Sequence, residues 1–212
     1  MSEIVKQHYE ARVGYANYYF NRLEQDRVWK AVSQGGDFSM LVGSWTVRGH
    51  AVGGGAVEFR LDDDRASIVL PTGEITVSLS DDWSDAVEPI GSGGLLAALS
   101  LWRRLLILGP EQHDEVYYLG TVPLPRHEEL ADVLVCLHAS VECRFMVERS
   151  SGRLLTLELY PVEDSDPCEV YFDEYEEEEG RFLPRRIEVR HGDAEFGVFE
   201  IEQFAFGEGE AK

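Results

Sequence analysis

After Gly43 the chain alternates apolar and polar side chains with a period of two. Trp45, Val47 and Gly49 alternate with Thr46, Arg48 and His50. Val57, Phe59 and Leu61 alternate with Glu58 and Arg60, and Ile75, Val77 and Leu79 with Thr76 and Ser78. Successive side chains of a strand point to opposite faces, so this pattern predicts strands with one dry and one wet side. Turn chemistry separates them at Gly53-Gly54-Gly55, Asp62-Asp63-Asp64 and Pro71-Thr72-Gly73. Further strands are expected over 116–122, 132–138, 141–148, 153–160, 168–175, 184–190 and 195–206. The second and third of these predict a hairpin about Ala139-Ser140, and the last two turn at His191-Gly192-Asp193. The acidic run Glu176 to Glu179 reads as an exposed turn between strands.

Two segments break the alternation. Over 3–33, Tyr9, Val13, Ala16, Phe20 and Leu23 recur at steps of three and four, which predicts a helix capped by Ser2 and stopped by Gly35-Gly36. Arg22 and Asp26 form an i, i+4 pair on its outer side. The apolar stripe is expected to dock this helix on the sheet. Over 92–108, Ser92 caps a run from Leu95 to Leu108 that is apolar nearly all round, broken by Arg103 and Arg104 and ended by Gly109-Pro110. A helix of that kind is buried on most sides. It is expected to plug or lid a concave sheet.

Strands without strand–helix alternation indicate an antiparallel sheet. The expected class is α+β, mostly β: a strongly curved antiparallel half-barrel of about ten or eleven strands. A long N-terminal helix and a central apolar helix lie with it, the latter on the concave side. The expected organisation is a packed N-terminal helix over 1–36, the half-barrel over 37–207 and a tail over 208–212.

Composition narrows the partners. The 212 residues are 44% hydrophobic and 11% aromatic, enough for a substantial core. The net charge of -21 repels phosphates, which argues against nucleic acid and anionic membrane surfaces. The run from Leu95 to Leu108 is too short and too charged to span a bilayer. Met1-Ser2-Glu3 opens a polar segment without the basic start and apolar run of a signal peptide. The expectation is a soluble chain, cytosolic or cut from a longer exported protein.

The chemistry-bearing residues form no recognised set. Ser92, in Ile90-Gly91-Ser92-Gly93-Gly94, departs at Ile90 from the trypsin-like Gly-x-Ser-Gly-Gly, and reads as a loop and helix cap. His8, His50, His113, His127, His138 and His191 lack metal-ligand spacing, as do Cys136, Cys143 and Cys168. His138 and Cys136 share a strand face, but their neighbours Leu134, Leu137 and Val141 favour a buried structural thiol. In the hairpin Cys136 faces Cys143, which leaves a cross-strand disulfide open, with two buried thiols as the expectation. The carboxylates of Asp62-Asp63-Asp64, Asp81-Asp82 and Glu163-Asp164-Ser165-Asp166 lack the spacing of a calcium loop. Trp83 and Trp102 either pack in the core or line the mouth of an apolar cavity.

Several segments together carry a resemblance. Arg153-Leu154-Leu155-Thr156-Leu157-Glu158, Glu169-Val170-Tyr171-Phe172-Asp173-Glu174-Tyr175 and Gly180-Arg181-Phe182-Leu183-Pro184-Arg185-Arg186-Ile187-Glu188-Val189 resemble the closing strands of lipoprotein-carrier (Lol-type) half-barrels. Val116-Tyr117-Tyr118-Leu119-Gly120 is similar to that superfamily's strand after the central helix. The resemblance spans about residues 40 to 206. It implies an apolar hollow that binds acyl chains or lipid-modified protein in the periplasm or cell envelope, without metal, cofactor or catalytic set. The long N-terminal helix and the lack of a visible signal peptide depart from it. Gly14-Tyr15-Ala16-Asn17-Tyr18-Tyr19-Phe20-Asn21 resembles a region that follows trypsin-like HtrA-type proteases in some bacteria.

The leading expectation is a non-catalytic module binding an apolar small molecule, lipid or lipoprotein at Leu96, Leu99, Trp102, Leu106 and Trp83, with no metal ligands and no cofactor. A leucine-rich central helix that fills the hollow permanently is the other outcome. The rival readings are a protein-interaction or regulatory domain of a larger exported protein such as a protease, and an enzyme using an acidic cluster. A cytoplasmic location is the alternative to the envelope.

Overall fold

The computed structural model describes residues 15–79, 82–83, 86–125, 127, 129–162 and 165–207. Among them, eleven antiparallel strands form one open, curved sheet. They are β1 (Trp45–Ala51), β2 (Ala56–Leu61), β3 (Arg65–Leu70), β4 (Gly73–Ser78), β5 (Glu115–Pro123), β6 (Leu130–His138), β7 (Val141–Glu148), β8 (Leu154–Tyr160), β9 (Cys168–Glu178), β10 (Arg181–His191) and β11 (Ala194–Phe206). Among the described residues two α-helices accompany them, α1 (Tyr15–Val32) and α2 (Leu95–Leu108).

The strand order is β4-β3-β2-β1-β11-β10-β9-β8-β7-β6-β5. The chain enters mid-sheet at β1 and meanders to one edge at β4. It crosses to the other edge through α2, then meanders back from β5 until β11 lies beside β1. That seam runs from Trp45 opposite Phe206 to Ala51 opposite Phe199, with a bulge between Arg48 and Gly49. Gly49 is required there, because a Cβ would collide with the Glu200 carbonyl.

The alternating segments became strands as the periodicity predicts, and Ala139-Ser140 forms the expected two-residue turn with both residues at positive φ. The strand β3 lies outside the alternating set for a physical reason: Ala66, Ser67 and Ile68 are all buried, so no wet face marks it.

The helix α2 packs on β2 and β3 in one wing of the sheet and on β8 and β9 in the other. A sheet that touches one helix from both wings must bend around it. Eleven of its residues are buried, among them Leu95, Leu96, Leu99, Leu101 and Leu105. Trp102 sits between Trp45, edge-on at 5.6 Å, and Phe172 at 5.1 Å. Each fully buried large apolar side chain contributes about 1.5–3 kcal/mol, so the concave core carries most of the stabilisation. The N-cap of α2 is Gly94 rather than the expected Ser92, whose Oγ accepts from the N–H groups of Gly94 and Leu95 just before the first turn. A second, smaller core of Ala131, Val133, Val135, Met146 and Leu155 lies apart from it. Since Leu134 and Cys136 join the concave core, β6 is dry on both faces.

The helix α1 ends in a 3-10 turn at Ser33–Gly35, and Gly36 takes a φ of 132°. The proposed cap Ser2 and the stripe residues Tyr9 and Val13 lie outside the described residues. Arg22 pairs with Asp26 at 3.2 Å as the spacing predicts, and also with Glu111. The docking face corrects the sequence reading. Phe20 is 62% and Leu23 46% exposed, whereas Gln25, Val28 and Val32 are buried and Asn21 bonds to the sheet.

The reason lies in the strand that α1 meets. Strand β5 is a sheet edge, and its outward N–H and C=O groups need partners. Asn21 Nδ2 donates to Tyr118 O at 2.6 Å, and Tyr118 N donates to Asn21 Oδ1 at 2.9 Å. Gln25 Nε2 donates to Val116 O at 3.1 Å. Side-chain amides thus stand in for a twelfth strand.

Candidate functional site

The hollow of the bent sheet is the candidate site, and α2 occupies most of it. Among the described residues, two cavities lie beside the C-terminal half of that helix. One, of about 180 Å³, is lined by Val42, Asp62, Trp83, Arg103, Ile107 and Leu108 among others. The second, of about 280 Å³, is lined by Trp29, Val32, Phe38, Leu106 and Ile107 together with the polar Ser33, Asp37 and Ser39. Ile107 contributes to both.

The five residues singled out from the sequence divide accordingly. Trp83 faces the first cavity and Leu106 the second. Leu96, Leu99 and Trp102 are fully enclosed in the concave core. The structure therefore brings all five to one side of the sheet, with open space at two of them.

Arg103 is the polar feature of the hollow. It is 4% exposed. Its guanidinium donates to Asp63 Oδ1 at 2.8 Å, Val42 O at 2.8 Å and Gly43 O at 2.7 Å. It thereby ties the plug helix to the segment before β1 and to the β2–β3 turn. Arg104 donates to Gln112 O at 2.6 Å and holds the helix exit. The sequence signal for this role was present, as a charge inside a leucine run, but its partners lie 40 to 61 residues away and local pattern does not reveal them.

A second constellation sits where the helix exit meets the β6–β7 hairpin. His113 is buried, and burial pushes it down to about 4 against the opposing hydrogen bond to Pro110 O, so it is neutral at physiological pH. Its ring meets those of His138 at 5.6 Å and Phe145 at 5.9 Å. Cys136 and Cys143 face each other across the hairpin in the expected register, both as free, buried thiols. Burial, then the neighbouring Cys136, raises the Cys143 thiol. Spacing gave no reason to join His113 to this pair.

The carboxylates show no convergent cleft among the described residues. On one sheet face Arg144 pairs with Glu142 at 2.7 Å and Glu158 at 3.7 Å and lies over the Tyr160 ring at 4.5 Å. Burial raises the Glu158 carboxyl, but its neighbours form an ion-pair ladder along β7 and β8.

An antiparallel sheet bent around one apolar helix defines a half-barrel. No protein-family model matches the chain, and no curated protein matches it in sequence. Solved structures do. A LolA superfamily protein from Nitrosomonas europaea is 12% identical with a TM-score of 0.53, over 86% of this chain and 93% of that one. A DUF1329 family protein from Desulfovibrio piger is 9% identical with a TM-score of 0.50, over 87% and 93% of the two chains. The chain has the Lol-type half-barrel fold that the resemblance of its closing strands implies. Among the described residues no helix is long and apolar enough to cross a membrane.

Proposed function

We propose that this chain is a non-catalytic binding module of the cell envelope that takes an apolar ligand, such as an acyl chain of a lipid or lipid-modified protein, into the hollow of its half-barrel. One observation carries the reading: Ile107 on α2 lines both cavities. Each is below the size range of about 300–1,000 Å³ usual for small-molecule sites, and joined by a shift of the helix end they reach it. The plug is least buried there, with Leu108 46% exposed. Arg103 is tied to Asp63 and Ser100 Oγ donates to Leu96 O, an arrangement that suits binding rather than reaction. Placement in the envelope is part of the proposal, and the shared half-barrel fold is what supports it.

The test is binding of an environment-sensitive apolar dye and a long-chain fatty acid, with organic extraction of the purified protein for bound lipid. Saturable binding is expected, and Ile107→Trp, which adds bulk at that shared residue, should weaken it at least about tenfold. Failure of dye, fatty acid and extraction together removes the reading.

A second reading rests on Tyr19, Phe20 and Leu23, which α1 presents to solvent. Exposed apolar side chains rimmed by polar ones suit a protein partner. A pull-down partner lost on Phe20→Ser and Leu23→Ser, with dye binding intact, would favour it.

A further inference from the structure

His113, Cys136 and Cys143 form a compact cluster that the ligand-binding reading does not use. One ring nitrogen of His113 and the two Sγ atoms lie within 4.8 Å of one another, and all three residues are buried. His113 Nδ1 lies 3.1 Å from Pro110 O, where it donates, which leaves Nε2 with the free lone pair. That Nε2 is buried and has no hydrogen-bond partner. A buried polar atom without a partner calls for an explanation, and an ion is one of the few available. A histidine whose far nitrogen donates to a backbone carbonyl is also how metal-ligating imidazoles are held.

From these positions we infer that the chain binds one soft, thiophilic cation, Cu(I) or Zn(II), through the Cys136 and Cys143 thiolates and His113 Nε2. The ligand types select this class, since thiolates and imidazole together favour copper and zinc over hard cations. The geometry is close to what is needed. With metal–sulfur bonds near ~2.3 Å and metal–nitrogen bonds near ~2.0 Å, ligands around one ion stand about 3.5–4 Å apart. From the 4.8 Å limit the cluster reaches that by drawing in about 1 Å. Two thiolates neutralise a divalent ion, which suits a site closed to water. Three ligands suit Cu(I), while zinc usually takes four. The fourth for zinc would be His138, which stands outside that 4.8 Å cluster and has to swing in: its ring centroid is 5.6 Å from that of His113, and its Nδ1 is buried without a hydrogen-bond partner, at 4.0 Å from Asp114. The ion would pin the exit of the α2 crossover to the β6–β7 hairpin. The site departs from the sequence expectation of no metal, and it stands whether or not the hollow takes a lipid.

The full chain is reduced with a phosphine, stripped with a chelator, and titrated with Cu(I) and with Zn(II) in separate arms against a competing chromophoric chelator. One equivalent of at least one ion is expected, with an absorption-edge spectrum showing two sulfur neighbours and at least one nitrogen neighbour. His113→Phe and Cys143→Ala should each weaken binding at least about 100-fold. His138→Phe should weaken zinc and leave copper unchanged. Cys168→Ala, a buried thiol apart from the cluster, should bind as the parent does. If Cys143→Ala fails to fold, shown by circular dichroism, His113→Phe decides. No stoichiometric binding of either ion overturns the inference, as does binding that survives His113→Phe. So does a Cys136–Cys143 disulfide that the reductant opens only on unfolding.

Discussion

The two helices solve the same problem, attachment to one sheet, by opposite chemistry. The plug α2 is held by burial of leucines and Trp102, with Arg103 and Arg104 as polar ties. The helix α1 is held at the edge strand mostly by polar groups, Asn21, Gln25 and Arg27, with Val28 and Val32 beneath. Hydrophobic attachment is non-directional and scales with area, so it is legible as composition. Hydrogen-bonded attachment depends on the direction of a few groups and on what the partner strand leaves unpaired.

The largest expected break is in the plug. Leu99→Ala removes a fully enclosed side chain and should lower stability by about 2–5 kcal/mol, read as a shift of the urea midpoint at unchanged slope. A loss below about 1 kcal/mol would mean that α2 is not packed as described.

Next comes the ion pair beneath α1. Asp132, 1% exposed, accepts from Arg27 at 2.9 and 2.7 Å and from the Tyr118 hydroxyl at 2.8 Å. Burial works to raise this carboxyl, and the Arg27 and Tyr118 contacts outweigh it, leaving it below its ordinary value. Arg27→Ala strands the carboxylate and should cost about 1–3 kcal/mol at neutral pH. A depressed folded pKa gives stability that is fully present above the unfolded value of about 3.9 and lost as pH falls through the folded one. The difference between parent and variant should therefore narrow from pH 7 to pH 3 in urea titrations. A constant difference would assign the effect to packing.

Removing the amides should act more on association than on stability. Asn21→Ala with Gln25→Ala should cost about 1 kcal/mol for each lost bond and leave the outward edge of β5 bare. Sedimentation velocity should then show concentration-dependent self-association absent from the parent. The smallest effect belongs to the stripe that the sequence pattern favours. Phe20→Ser should change thermal stability by no more than about 0.5 kcal/mol, because that side chain is mostly in water.

The fold was legible wherever one face of an element is wet. Ile75, Val77 and Leu79 announce β4 through alternation, whereas Ala66, Ser67 and Ile68 in β3 are buried throughout and carry no period. For α1 the pattern was misleading, since the stripe residues Phe20 and Leu23 are not on the face that the edge strand selects. Of the candidate site, Trp83 and Leu106 were named from composition and found beside cavities, whereas Arg103 was seen only as an interruption.

What the sequence alone determined is local: the strands with a wet face, the plug helix and its ends, the Ala139-Ser140 turn and with it the Cys136–Cys143 register. Each follows from side-chain period or turn chemistry within about ten residues. Tertiary structure alone decided the seam of β1 on β11, the polar docking of α1, the carbonyl partners of Arg103 and the meeting of His113 with the two thiols. These join residues distant along the chain, and which of them meet is fixed by how the whole sheet bends around α2.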